Sequence, residues 1–386
     1  MRTWALPEHI EDILPQDAAR METMRRAALD LFASHGYALV VPPLLEYVDS
    51  LLSGSGHDMD LATFKLVDQL SGRTMGIRAD TTPQVARIDA HVLNRQGVAR
   101  LCYAGSVLHT LPLGLGKSRQ PFQVGAELYG HAGLDADVEI QQLVLDALSV
   151  MGVKAIQLDI GHPAIFRALI ADAKLDSVQS EEIFAATVAK DGPALHALTA
   201  TLGATEAEAA FLALPTLCGG AEVLARARAA LPATPVIEAA LAQLATIHAH
   251  FSAQGIPVSI DLGDLGGFNY ESGIVFSVFA DGASDAVARG GRYDEVGKAF
   301  GRARPATGFS MDLKALLPLV ADTAPRKGIL GPAEVSAAAV AEMQRLRQFG
   351  ETVVARLPGH DNHHHELNCD RELVMRDGRF SVIPLK

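Results

Sequence analysis

The 386 residues carry 33 Lys and Arg against 45 Asp and Glu, a formal net charge of −12 that argues against a broad nucleic-acid-binding face, since phosphate contacts need clustered cations. A hydrophobic share of 49% with 20% charged residues describes a globular chain with room for two or three domains. Cys102, Cys218 and Cys369 are too scattered for a disulfide framework or a CxxC zinc site, no apolar run reaches the roughly 20 residues of a membrane helix, and the early acids Glu8, Glu11 and Asp12 do not suit a signal peptide, so a cytoplasmic protein is expected.

Residues Leu6 to Gln16 read as an extended arm, and Asp17 as the N-cap of a helix reaching Ser34, with Met21, Met24, Ala28, Leu31 and Phe32 at helical spacing. Gly36 ends that helix. Tyr37 to Val41 predicts a short strand stopped by Pro42-Pro43, because proline cannot donate to a sheet ladder. Thr63 to Leu70 and Thr74 to Arg78 form a predicted hairpin, followed by a helix near Thr82-Pro83. Asp80 and Thr82 suit helix N-capping as well as ligand contact, and the two roles are compatible. Leu101 to Leu108 and Gln120 to Tyr129 read as antiparallel strands, with Gln123 and Glu127 an even number apart and so on one face. A helix over Ala136 to Val150, a strand over Ala155 to Ile160 and a helix over Pro163 to Ala171 follow.

Between Asp176 and His250 the composition turns to Ala, Leu and Glu, broken by Gly192-Pro193, Gly203, Gly219-Gly220 and Pro232, which predicts four or five inserted helices. Val258 to Leu262 resumes the sheet. Tyr270, Ser272, Ile274, Phe276 and Val278 alternate as in a strand, Gly290-Gly291 suits a tight reversal or close backbone approach, and Met311, Leu313, Leu316, Leu317 and Val320 recur at helical spacing. Beyond Pro325 the pattern predicts a strand (Lys327 to Leu330), a helix (Val335 to Phe349), a strand (Thr352 to Leu357) and a hairpin from Glu372 to Ile383 turning at Asp377-Gly378. His360, His363, His364 and His365 read as a loop tract, since three consecutive histidines cannot face one ion from a regular element.

Four phrases carry a family resemblance: MGIRADTTPQVAR, FQVGAELYG, GGRYD and GFSMDLKAL. Together they resemble the histidyl branch of the class II aminoacyl-tRNA synthetases over roughly Arg2 to Leu317. The helix and strand ending at Pro43 are similar to that class's dimer motif. The resemblance implies an α+β fold: a class II synthetase-like antiparallel sheet flanked by helices, with a helical insertion and a small C-terminal α/β domain. Expected divisions are residues 1–175 and 251–322 for the two parts of the core, 176–250 for the insertion and 323–386 for the last domain.

By the same resemblance, Asp80 and Thr82 face a ligand's ammonium group, Gln123 and Glu127 contact the amino acid, and Tyr270 and Tyr293 supply packing or hydroxyl contacts. The arginines that the family uses to clamp and polarise ATP fall at His109, Gly266 and Ala315, and the family's gripping residues in the loop between the two strands become Leu111, Pro112 and Leu113. Lys314 is a poor substitute for an arginine at 315, because adjacent helical positions point about 100° apart. Glu271 replaces a family tyrosine. The residues after Pro325 are too few for a tRNA-reading domain of usual size.

A synthetase-like chain without ATP chemistry is similar to the regulatory-subunit family of ATP phosphoribosyltransferase. That resemblance implies no catalytic residues and no cofactor or metal in this chain. It implies a short-form catalytic subunit as partner in a hetero-octamer, homodimerisation, histidine as effector, and neither tRNA nor membrane. Two other readings remain open at this point: an amino-acid-activating enzyme, and a dimeric scaffold with a vestigial pocket.

Overall fold

The computed structural model describes residues 4–53, 57–114, 116–200, 203, 205–266, 268, 271–322, 327–334, 336–357 and 366–385. The chain divides into two compact units, Met1–Ala321 and Asp322–Lys386.

The larger unit opens with α1 (Pro15–Ser34), whose buried Met24, Ala28 and Phe32 form a stripe at i, i+4 and i+8. Asp17 is not its N-cap. Leu14 holds that place, Pro15 starts the helix, and Asp17 lies in the first turn, 3.0 Å from Arg20. Then come β1 (Ala38–Leu39), β2 (Leu45–Tyr47), α2 (Val48–Leu51), α3 (His57–Ala62), β3 (Phe64–Val67), β4 (Thr74–Ile77) and α4 (Thr82–Arg87). The strands β2, β4 and β3 form a small antiparallel sheet. The centre is built by β5 (Ala99–Ser106), β6 (Phe122–Tyr129), α5 (Leu134–Val150), β7 (Ile156–Gly161) and α6 (Ala164–Ala173).

The insertion contains α7 (Ser177–Val188), α8 (Gly192–Thr199), α9 (Thr205–Ala213), β8 (Cys218–Gly219), α10 (Glu222–Ala230) and α11 (Pro235–Ser252). Its helices begin where the composition changes: Asp176 accepts from Gln179 N in a full capping box, and Thr234 caps α11. The two-residue β8 pairs with β9 and ties the insertion to the sheet, a link that composition does not reveal. The unit closes with β9 (Val258–Asp261), β10 (Val275–Ala280), β11 (Ala288–Arg292), β12 (Ala306–Asp312) and the short helix α12 (Leu313–Leu316).

Nine strands order as β1-β5-β6-β12-β11-β10-β7-β9-β8, parallel at β1–β5 and β7–β9 and antiparallel elsewhere. One face carries Val124, Ala126, Leu128, Phe276, Phe309 and Met311 into the main core, against α1 and α5. The opposite face is laid out in rows of directly paired residues. One row is Gly105, Gln123 and Asp312; the next is Tyr103, Gly125, Ser310, Arg289 and Ser277; the third is Leu101, Glu127, Gly308, Gly291 and Val275. Small and polar residues thus make the floor of a site on that face.

Three local expectations change. Gly290 and Gly291 lie inside β11 and not at a turn. A Cβ on Gly291 would stand 2.7 Å from a Glu271 carboxyl oxygen, and one on Gly290 would strike the Gly308 carbonyl, so close approach is what requires glycine there. The strand expected from Tyr270 starts at Val275, and Tyr270 lies outside the described residues. Ser310, Met311 and Asp312 belong to β12, and the helix begins only at Leu313, capped by Asp312.

The smaller unit holds β13 (Gly328–Leu330), α13 (Ala337–Gln348), β14 (Val353–Val354), β15 (Cys369–Arg376) and β16 (Arg379–Pro384), in sheet order β14-β13-β15-β16. The expected hairpin turns at Asp377 (φ 48°) and Gly378 (φ 75°), a pair of left-handed residues that matches the twist of the flanking strands. The histidine tract from His360 to His365 lies outside the described residues.

Candidate functional site

A cleft of about 400 Å³ opens over the sheet's polar face, lined among others by Asp80, His109, Gln123, Arg289, Asp312 and Ala315. The hairpin of β3 and β4 delivers Asp80 to it at the start of α4. There the Asp80 Oδ1 accepts from the backbone N–H of Thr81 (2.7 Å) and Thr82 (3.3 Å) and from Gln123 Nε2 (2.7 Å). Asp80 thereby serves the helix start without being its N-cap, which is Thr81. Gln123 also accepts from Thr81 N at 3.0 Å, which fixes its amide.

Behind Asp80 the network runs inward. Thr82 donates to Glu127 (3.1 Å), Tyr103 donates to the same oxygen (3.2 Å), and Tyr293 donates to the other. The Tyr293 hydroxyl is also 3.3 Å from that of Tyr129. Glu127 is able to lie flat over the floor because Gly308 beneath it has no side chain: a Cβ there would stand inside the Glu127 carboxylate. Five of the six expected ligand residues, Asp80, Thr82, Gln123, Glu127 and Tyr293, are thus brought together. Asp80 and Gln123 line the cleft itself; Glu127 and Tyr293 sit fully buried behind it.

Burial pushes the Glu127 carboxyl up to about 8; the Tyr293, Thr82 and Tyr103 hydroxyls oppose that rise and the nearby Asp80 reinforces it. Burial likewise raises the phenols of Tyr103, Tyr129 and Tyr293 well above their ordinary value. Sequence reasoning missed Tyr103 and Tyr129. Strand alternation could have found both, since Tyr129 shares its face with Gln123 and Glu127, and Tyr103 pairs with Gly125.

The positions expected to lack ATP-binding arginines separate into two places. His109 and Ala315 line the cleft, whereas Gly266 lines a neighbouring cavity of about 70 Å³ together with Glu271. His109 is buried, and its Nε2 sits 2.8 Å from the Ala79 carbonyl. Lys314 does not line this cleft; with Ala315 it lines an adjoining cavity of about 280 Å³. The cations among the cleft's lining residues, Lys117 and Arg289, are both engaged with Asp285, at 3.2 and 2.8 Å. The arginine of GGRYD, Arg292, is structural: it forks onto buried Asp137 (2.8 Å) and donates to the carbonyls of His131 and Gly133. Such a site can receive an ammonium group at Asp80, but its described lining residues offer no array of free cations for a triphosphate. Among the described residues no group of three His, Cys, Asp or Glu could hold a metal ion, and no helix is long and apolar enough to cross a membrane.

The sheet, its polar floor and the carboxylate–hydroxyl network define a protein with the class II fold of histidyl-tRNA synthetases. Residues 9–316 match the family described as Histidyl-tRNA synthetase, and residues 326–383 match the ATP phosphoribosyltransferase subunit HisZ C-terminal domain. An ATP phosphoribosyltransferase regulatory subunit from Ralstonia nicotianae is 55% identical over 100% of this chain and 99% of its own length. One from Cupriavidus taiwanensis is 54% identical, covering 99% of each chain. The crystal structure of an ATP phosphoribosyltransferase regulatory subunit/histidyl-tRNA synthetase from Bacillus halodurans superposes with a TM-score of 0.83 at 26% identity, over 94% of this chain and 96% of that one. The chain belongs to the family of ATP phosphoribosyltransferase regulatory subunits.

Proposed function

We propose that this chain is the non-catalytic regulatory subunit of an ATP phosphoribosyltransferase. It activates a short catalytic subunit, which joins ATP to phosphoribosyl pyrophosphate, and contributes to feedback control by histidine in the first step of histidine biosynthesis. The observation that carries this reading is the split character of the cleft. Its amino-acid end is a connected network of Asp80, Thr82, Gln123, Glu127 and Tyr293, while its ATP end has His109 and Ala315 in place of arginines. A pocket of that kind binds without reacting, so the binding free energy shifts a conformational equilibrium instead.

In this reading histidine occupies the cleft, with its ammonium group on Asp80 and its ring toward Glu127. The chain works in the cytoplasm, without tRNA, as a homodimer within a hetero-octamer. The apolar Leu39, Val41, Leu44 and Leu45 are each at least 40% exposed around β1 and Pro43, which supports a dimer face at that edge.

The test is feedback by histidine in the reconstituted complex. Asp80→Asn, with unfolding checked in parallel, is expected to raise the histidine concentration for half-inhibition by tenfold or more, the usual effect of losing a charged hydrogen bond. Unchanged inhibition would remove histidine from this cleft.

A further inference from the structure

Glu271 takes no part in the network around Glu127. It is 7% exposed, and its Oε2 has no hydrogen-bond partner among the described residues. A carboxyl withdrawn from water without a partner is costly, and a donor arriving with a ligand would relieve that cost. The backbone beside it is fixed, since Arg167 donates to the Glu271 carbonyl at 2.8 Å.

Its place on the floor is informative. The Glu271 carboxyl lies over Gly291, as Glu127 lies over Gly308, and those two glycines are direct partners between β11 and β12. Directly opposed positions on one face stand about 5 Å apart. The two carboxyls therefore cover neighbouring points of one surface. Glu271 also lines the cavity of about 70 Å³ with Asp264, Gly266, Ser277 and Arg289, and Arg289 lines the larger cleft as well, which reaches Asp80 and Gln123.

We propose that Glu271 is a ligand-binding residue that sets side-chain specificity: with Glu127 it accepts the two ring N–H groups of a bound imidazolium. This rests on the reading that histidine occupies the cleft. An imidazolium presents two donors where a neutral imidazole presents one, so a second acceptor distinguishes the two forms. Burial raises both carboxyls above the ordinary range; Asp80 reinforces this at Glu127, and at Glu271 Asp264 reinforces it while Arg167 and Arg289 oppose it. A histidine that enters as imidazolium sets its positive charge beside these carboxyls and lowers the one it pairs with, which releases its proton to solvent and becomes the carboxylate partner of a ring N–H.

The test is calorimetric titration of the full chain with L-histidine and its two ring N-methyl isomers. Each isomer lacks one N–H, and each is expected to bind wild type about tenfold more weakly or worse. Glu271→Gln is expected to weaken histidine about tenfold, and Glu271→Ala to erase the penalty of one isomer while keeping that of the other. Thermal unfolding of each variant shows whether it folds. If Asp80→Asn weakens histidine while Glu271→Gln binds within about twofold of wild type, the inference fails and the cleft reading stands. If neither variant changes binding, or wild type binds no histidine, the cleft reading itself fails and this inference with it.

Discussion

Replacing Glu127 with glutamine takes a titrating carboxyl out of the deepest part of the network. In the folded protein burial raises that carboxyl from 4.5 to about 8. A group with a raised folded value binds more protons folded than unfolded, so its stabilisation is complete below pH 4.5 and is lost as pH climbs through 8. At about 1.36 kcal/mol per pH unit, the loss between pH 5.5 and 8.5 comes to about 3 kcal/mol, because the unfolded carboxyl is ionised throughout that window while the folded one ionises only near its end. Urea unfolding followed by far-ultraviolet circular dichroism at both pH values measures it. Wild type should lose about 3 kcal/mol more than Glu127→Gln over the window, with the variant's curve the flatter. Equal losses in the two proteins would refute the reasoning and mean that Glu127 is an ordinary, solvated carboxylate.

Gly308→Ala places a methyl group where the Glu127 carboxylate lies, and calorimetry with histidine should show binding lost together with about 1–3 kcal/mol of stability. Arg292→Met strands the buried Asp137 and should cost about 3–5 kcal/mol in urea unfolding, without any direct role in ligand contact. Leu44→Glu, at an exposed apolar position beside Pro43, should shift the isolated chain toward monomer in analytical ultracentrifugation while leaving its melting temperature within a few degrees.

Much of this architecture was legible in the sequence because burial follows the helical period in α1 and α5, and because apolar Val124, Ala126 and Leu128 alternate along β6 with Gln123, Gly125 and Glu127 on the other face. The network of Asp80, Thr82, Gln123 and Glu127 was legible for the same reason: Gln123 and Glu127 share a strand face, and Asp80 and Thr82 open a helix. Other features depend on partners distant in the chain. A glycine pair reads alike whether it turns the chain or lets Glu271 and the Gly308 backbone approach β11. Met311 fits a helical spacing and a strand equally well, and only pairing with Val124 decides between them. Tyr103 and Tyr129 look like core residues until the register sets them beside Glu127, and the link of β8 to β9 spans two residues with no local signature.

The measurement that bears most directly on the regulatory reading uses the purified chain with and without a short-form ATP phosphoribosyltransferase catalytic subunit. Phosphoribosyl-ATP formation is followed in the mixture, with and without histidine, beside histidine-dependent pyrophosphate exchange by the chain alone. The account predicts activation of the catalytic subunit, inhibition by histidine, and no exchange. Exchange by the isolated chain, or a catalytic subunit indifferent to its presence, would contradict it.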